Sequence, residues 1–363
     1  MQRTIVPPIM LLALAMFSTS LTALAQTSAY GSWVNDQNNL ATPGFVYNPP
    51  PAFFNPLTAS DLELEQWGFP PRPGVSDVAA YARWEKIVSV KRVTPQLTFT
   101  NIYLGPARNV NFPSIGGANA TSQNWSGYVL DGANGTFKTN ETQVSADWNI
   151  PSVAQAIGTC NSTWDYSFEW VGFDGWGSSD VLQAGNEADA TCSSTLYSFW
   201  YEWYPNAETR VSSPVAQPGD WVAVQVWYTT TSPYGHAYWA DYRTGASASV
   251  GFNPPSGTTY EGNSAEWIVE RPTVSGSLSD LANYGGMQIL APYARIGTGT
   301  YYSPSSPPSG ATEYAVSMTC PPWNPSTACT ATTTISNPDN GFFSVEPGTV
   351  QDSLYLFDSP PAY

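Results

Sequence analysis

From Asn124 onward the chain alternates short apolar runs with polar punctuation. NWSGYVL, TQVSADWNI, YSFEWVGFD, LYSFWYEWY, DWVAVQVWYTT, HAYWADYR, AEWIVE, MQIL and SLYLF are rich in aromatic and β-branched residues, and Gly, Pro, Asn and Ser clusters separate them. None carries the period of an amphipathic helix. Such runs predict antiparallel strands, which without helices bury their apolar faces against each other. The expected fold class is all-β, an antiparallel β-sandwich or jelly roll over residues 118–363.

Within NSAEWIVE, 263–270, the two-residue period of a strand turns Glu266, Ile268 and Glu270 to one side and Trp267 and Val269 to the other. An apolar strand thus presents acid on one face. Four residues of strand separate the two glutamate Cα atoms by roughly 13 Å, too far for a shared proton. Glu266 reads equally as a groove support or a solvated edge carboxylate. LYSFWYEWY is apolar on both faces, so either both are covered or one lines a groove.

Residues 26–117 differ. They hold eleven prolines, including the run NPPPAFFNP, and two short helix candidates. One starts at Ser60, with Glu63 placed as in a capping box; the other is SDVAAYARWEKIV, from Ser76. The polar stretch GGANATSQ, 116–123, reads as a linker. Residues 26–117 are therefore expected to be a propeptide or accessory N-terminal segment, with a processed chain beginning near residues 110–123. Ahead of them, MQRT, an apolar stretch from Ile5 to Phe17, and Ala23-Leu24-Ala25 follow the order of a signal peptide, 1–25. The apolar run is short for a bilayer span and is broken by Pro7 and Pro8. A secreted, extracellular protein with no membrane partner is expected.

Charge narrows the partners further. Residues 118–363 carry 22 acidic side chains against five basic ones, while 26–117 carry six of each sign. A body this acidic repels nucleic acid and anionic membranes. With so few basic groups it also gains little positive charge at low pH, so acid unfolding is weakly driven. The four cysteines of an exported chain read as two disulfides, Cys160 with Cys192 and Cys320 with Cys329, leaving no thiol nucleophile. His236 is the single histidine and reads as a loop or strand-end residue. GxSxG, HExxH, P-loop and GxGxxG signatures are missing from the sequence, so neither a metal nor a cofactor is expected. Carboxylates, amides and hydroxyls remain for chemistry.

Six segments carry a resemblance: QNWSGYVL (123–130), EWVGFDG (169–175), VLQAG (181–185), YEWYP (201–205), PGDWVAVQV (218–226) and NSAEWIVE (263–270). In order and approximate spacing they resemble the glutamic peptidases, the eqolisins of peptidase family G1. The resemblance spans Gln123 to Ile289 and implies an acid endopeptidase on a concanavalin-like β-sandwich, made as a precursor. It implies a catalytic glutamine and glutamate on neighbouring strands, falling on Gln183 and Glu270. It also implies active-site roles for Trp170, a supporting Asp174 and a groove residue at Glu202. The implied partners are protein or peptide substrates; separately from the resemblance, a monomer is expected.

Elementary chemistry agrees with that picture. Hydrolysing a peptide without metal or covalent nucleophile needs a base for water and a donor for the oxyanion. A carboxylate serves as the base, or starts protonated and donates to the carbonyl, and an uncharged amide donates at any pH. Three departures stand out: Ala184 follows Gln183 where the family has Thr, Arg271 follows Glu270 and is expected to lower its pKa, and residues 26–117 lack a basic excess. The alternatives are a jelly-roll glycoside hydrolase and a lectin-like carbohydrate-binding module, since aromatic grooves with glutamates also suit sugars.

Overall fold

The computed structural model describes residues 28–112, 119–132, 134–156 and 160–319, and by backbone alone the strands 333–335 and 342–347. The signal-peptide stretch, the SLYLF run and the expected Cys320–Cys329 pair lie outside the described residues.

Two antiparallel sheets stack face to face. Across the first, strands run in the order Leu97–Phe99, Thr209–Val211, Thr195–Tyr204, Val181–Ala190, Asp165–Phe173, Ser264–Glu270, Trp125–Asp131 and Thr312–Met318. The second orders Gly31–Val34, Gly44–Tyr47, Ala246–Phe252, Gly235–Asp241, Trp221–Tyr228, Thr142–Asn149, Met287–Arg295 and Phe342–Pro347. Thr333–Ile335 bonds to the last strand of each and joins their edges. This is the all-β sandwich expected from the apolar runs.

Alternation sends Val171, Leu182, Trp267 and Val269 of the first sheet inward, where they meet Trp148, Val224, Trp239 and Val250 of the second in one buried core. Burial of side chains of this size stabilises by about 1.5–3 kcal/mol each. The strand Val181–Ala190 is buried at all ten positions although four of them, Gln183, Asn186, Glu187 and Asp189, are polar. Its polar side chains find partners inside, among them Gln183, Asn186 and Glu187.

Residues 28–112 do not stand apart from the sandwich. Gly44–Tyr47 extends the second sheet beside Ala246–Phe252. Helix α1 (Asp61–Gln66) opens on the expected capping box: the Glu63 N–H donates to the Ser60 hydroxyl, and the Ser60 N–H to the Glu63 carboxylate. Helix α2 (Val78–Val88) is capped by Asp77, one residue beyond the expected start. It packs Trp84, Ile87 and Val88 against Trp227, Tyr238 and Ala240 on the outer face of the second sheet, where Arg83 pairs with Asp147. The chain then joins the edge of the first sheet at Leu97–Phe99 and crosses that sheet's outer face. Residues 119–122, expected within a linker, form a strand parallel to Ala315–Met318. Ladder bonds to an edge strand satisfy this polar backbone, which composition alone does not reveal.

Candidate active site

Strand register decides which side chains share a face. Gln183 lies opposite Glu202 on one side and Gly172 on the other; Glu270 lies opposite Phe168 and Trp125. With two-residue alternation, Gln183, Glu202, Trp170 and Glu270 all project from the outer face of the first sheet. The strand Asp165–Phe173, bearing Trp170, runs between the strands of Gln183 and Glu270. The expected neighbouring-strand placement is thus corrected by one strand. A Cβ on Gly172 would stand 2.9 Å from the Gln183 Cβ, so glycine clears the ground beside the amide. Ala184 faces the sandwich core, so a hydroxyl at that position would not reach this face.

Both principal groups are held by buried donors and acceptors. Trp170 Nε1 donates to Glu270 Oε2 at 3.1 Å, and Asn124 Nδ2 to Glu270 Oε1 at 2.9 Å. The Trp125 ring meets Trp170 edge-on, centroids 5.0 Å apart. Gln183 Nε2 donates to Glu202 Oε2 at 2.9 Å and to the Leu104 carbonyl at 2.6 Å, while its Oε1 is buried without a protein partner. Glu202 accepts the Leu104 N–H with both oxygens, at 3.0 and 3.2 Å.

Leu104 belongs to a stretch of the N-terminal region that lies over the four side chains. The Gly105 carbonyl accepts from Trp125 Nε1 at 3.1 Å, the Pro106 carbonyl from Asn124 Nδ2 at 3.2 Å, and the Arg108 N–H donates to Asn124 Oδ1 at 2.8 Å. Gln183 and Glu270 are buried for this reason, on a face covered by backbone rather than within the sandwich core.

Burial sets the charge states. Glu270 and Glu202 are both pushed well above the ordinary glutamate range, chiefly by burial. Hydrogen bonds from Asn124, Trp170 and Trp125 pull Glu270 partway back, whereas the charge of Glu270 raises Glu202 further. The cation that lowers Glu270 is Arg108. Arg271, expected in that role, donates instead to the carbonyls of Gln123 and Ser279.

Asp174 is not brought to this face. The strand ends at Phe173, and Asp174 takes the left-handed conformation, φ 69°. Its carboxylate accepts the N–H groups of Glu261, Gly262 and Asn263 at 3.1, 2.8 and 2.7 Å, fastening the loop that leads into the Glu270 strand. Glu266 is fully buried rather than solvated at an edge, and burial holds its carboxyl well above the usual range. His236, second in its strand on the other sheet, stacks on Trp227 and bonds the Tyr47 and Thr229 hydroxyls; burial pushes it down to about 3. Cys160 and Cys192 form the expected disulfide. Among the described residues no cluster of three or more His, Cys, Asp or Glu side chains is arranged to hold a metal ion.

Two contributors escaped the reading of strands: Asn124, which precedes its strand, and Leu104, far upstream. Asn124 stands within QNWSGYVL, but nothing in that pattern says its amide reaches a carboxyl 146 residues away.

A carboxamide and a carboxyl thus share one covered face, with a peptide carbonyl bonded to the amide. The Peptidase A4 family profile matches residues 123–340, and the chain belongs to this family of glutamic peptidases. It is a glutamic-type peptidase, acting on protein or peptide substrates. Among solved structures it is similar to scytalido-glutamic peptidase with a transition state analog inhibitor, at 21% identity over 62% of this chain and 98% of that one, TM-score 0.49. It is also similar to SCP-B, an eqolisin in complex with the tripeptide Ala-Ile-His, at 21% identity with the same coverage and TM-score 0.43. A third likeness is aspergilloglutamic peptidase from Aspergillus niger, at 24% identity over 51% of this chain and 99% of that one, TM-score 0.42. Comparison with the curated proteins gives no match.

Proposed function

We propose that this peptidase is a secreted acid endopeptidase whose working pair is Gln183 and Glu270. The observation that carries the reading is the 2.6 Å bond from Gln183 Nε2 to a peptide carbonyl on the face that also bears Glu270. As water adds to such a carbonyl, Gln183 Nε2 donates to the developing oxyanion, and its unpartnered Oε1 accepts from the water. Burial favours the protonated form of Glu270 in acid, so it first gives its proton to the carbonyl oxygen and then, as the carboxylate, takes the water's proton and passes it to the leaving amine. Glu202 orients the Gln183 amide; Trp170 and Asn124 orient Glu270. Asp174 acts one step away, through the loop it fastens. Residues 1–25 are read as the signal peptide, and 26–117 as a propeptide or accessory N-terminal segment. Membership of a peptidase family leaves the sugar-directed alternatives without support.

The test is digestion of haemoglobin or casein at about pH 3. Glu270→Gln and Gln183→Ala should each lower kcat/KM by roughly a hundredfold or more, the usual scale for a general base or an oxyanion donor. Wild-type rates in both variants would overturn the pair.

A further inference from the structure

We propose that Ile102–Arg108 is the enzyme's own first substrate, seated with its Leu104–Gly105 bond at Gln183 and Glu270 and cut there within the same molecule. The inference rests on the peptidase reading above and adds to it the bond, the side chains the groove accepts and the order of the reaction.

The segment lies as a bound peptide would. Upstream, the Ile102 carbonyl accepts from the Glu208 N–H at 2.9 Å, and residues 102–103 pair with 273–274. In the middle, Leu104 is held by N–H and carbonyl alike, on Glu202 and Gln183. Downstream, the Ala107 N–H donates to the Gly175 carbonyl and the Arg108 carbonyl accepts from the Gln123 N–H. The path crosses the first sheet from the Thr209–Val211 side to the Trp125 strand, and Glu202, Gln183 and Trp125, from three of its strands, bond to it. Backbone bonds on both flanks fix the register, and only the Leu104 carbonyl meets Gln183.

Side chains read out what the groove takes. Leu104 is completely buried in an apolar cluster with Trp125, Trp170, Trp176, Val181 and Trp200. A leucine-sized side chain therefore suits the acyl side of the cut. On the amine side the fit is tight: a Cβ on Gly105 would approach the Tyr204 ring to 3.1 Å. The groove thus selects a bulky apolar residue before the bond and a small one after it.

The step balances with one water. Water oxygen bonds to the Leu104 carbonyl carbon, Glu270 moves the water's proton to the Gly105 nitrogen, and the C–N bond breaks to a Leu104 carboxyl and a Gly105 amine. Residues 119–122 beyond the cut stay in the sheet. The structure therefore assigns the new N-terminus to Gly105 rather than to the expected 110–123.

The test uses the full secreted chain, acidified and followed by intact mass and N-terminal sequencing, with casein digestion measured on the same samples. Expected are a new terminus at Gly105, a rate constant unchanged over about a hundredfold dilution, and a loss of about tenfold or more in that rate for Leu104→Asp, which puts a charge into the apolar cluster. Should that variant not fold, a synthetic TNIYLGPARNV peptide (residues 100–110) supplies the independent arm, and the processed enzyme should cut it between Leu and Gly. Casein digestion with a terminus elsewhere, with processing that accelerates with concentration, or with the peptide cut at another bond overturns this inference and leaves the peptidase reading standing. No digestion of any substrate by wild type overturns both.

Discussion

Glu169 should make this protein lose stability as pH rises, and the size of the effect follows from its surroundings. Its strand turns it inward, between the sheets, with Val171 and Phe173. There the Ser167 hydroxyl and Asn186 Nδ2 donate to its carboxylate, both at 2.5 Å, and Trp148 Nε1 holds Asn186 Oδ1 at 2.6 Å. Burial outweighs these bonds and pushes the group up to about 8, from an ordinary 4.5. A carboxyl raised on folding contributes stability that is fully present below its unfolded pKa and disappears as pH climbs through the folded one. At about 1.4 kcal/mol per unit, Glu169 alone should remove on the order of 4 kcal/mol between pH 4 and pH 8. Glu169→Gln cannot ionise, and its amide can still accept from Asn186 and donate to the Ser167 hydroxyl. Urea unfolding at several pH values should show the variant near wild type in acid and more stable by several kcal/mol at about pH 8. Parallel stability curves for the two proteins across that range would refute the reasoning, because every other raised carboxyl is common to both.

Trp170→Phe removes one donor from Glu270 while keeping an aromatic ring, so the pKa of Glu270 should rise by up to about one unit. The limb of the kcat/KM profile governed by Glu270 then moves to higher pH; a stationary or downward limb contradicts the role of the 3.1 Å bond. Arg210 bonds Glu187 at 2.5 and 2.7 Å and lies 3.4 Å from Glu208 and 3.8 Å from Asp189. Arg210→Met leaves three buried carboxyls without their cation and should cost about 3–5 kcal/mol at neutral pH, far less in acid where they are protonated. Chemical denaturation at the two pH values checks this, and equal losses would count against it. Replacing Cys160 and Cys192 by Ser opens a disulfide of sequence separation 32. The variant should lose about 3 kcal/mol, read as a lower Tm that responds less to reductant than that of wild type.

Legibility varied from strand to strand. The aromatic runs were plain because period-two burial writes itself into composition, and the capping box at Ser60 was plain because it is local. Ala246–Phe252, ASASVGF, gave little signal because small residues suffice where neighbouring side chains fill the core. VLQAGNEADA was legible only through its resemblance to a motif, since a central strand tolerates polar residues once partners from other strands satisfy them. Alternation placed Trp170 correctly but failed for Asp174, where the strand stops and the backbone turns left-handed.

By itself, then, the chain's pattern determined an all-β sandwich and, through six ordered motifs, the family and the two residues proposed for its chemistry. Tertiary structure alone decided that a strand intervenes between them, that Asn124 and Trp170 grip the carboxyl, and that Leu104 lies across the amide. The physical reason is range: periodicity and caps arise from neighbours in sequence, whereas pKa shifts and groove occupancy arise from segments as distant as Asn124 is from Glu270, 146 positions, and no local pattern encodes which segments those will be.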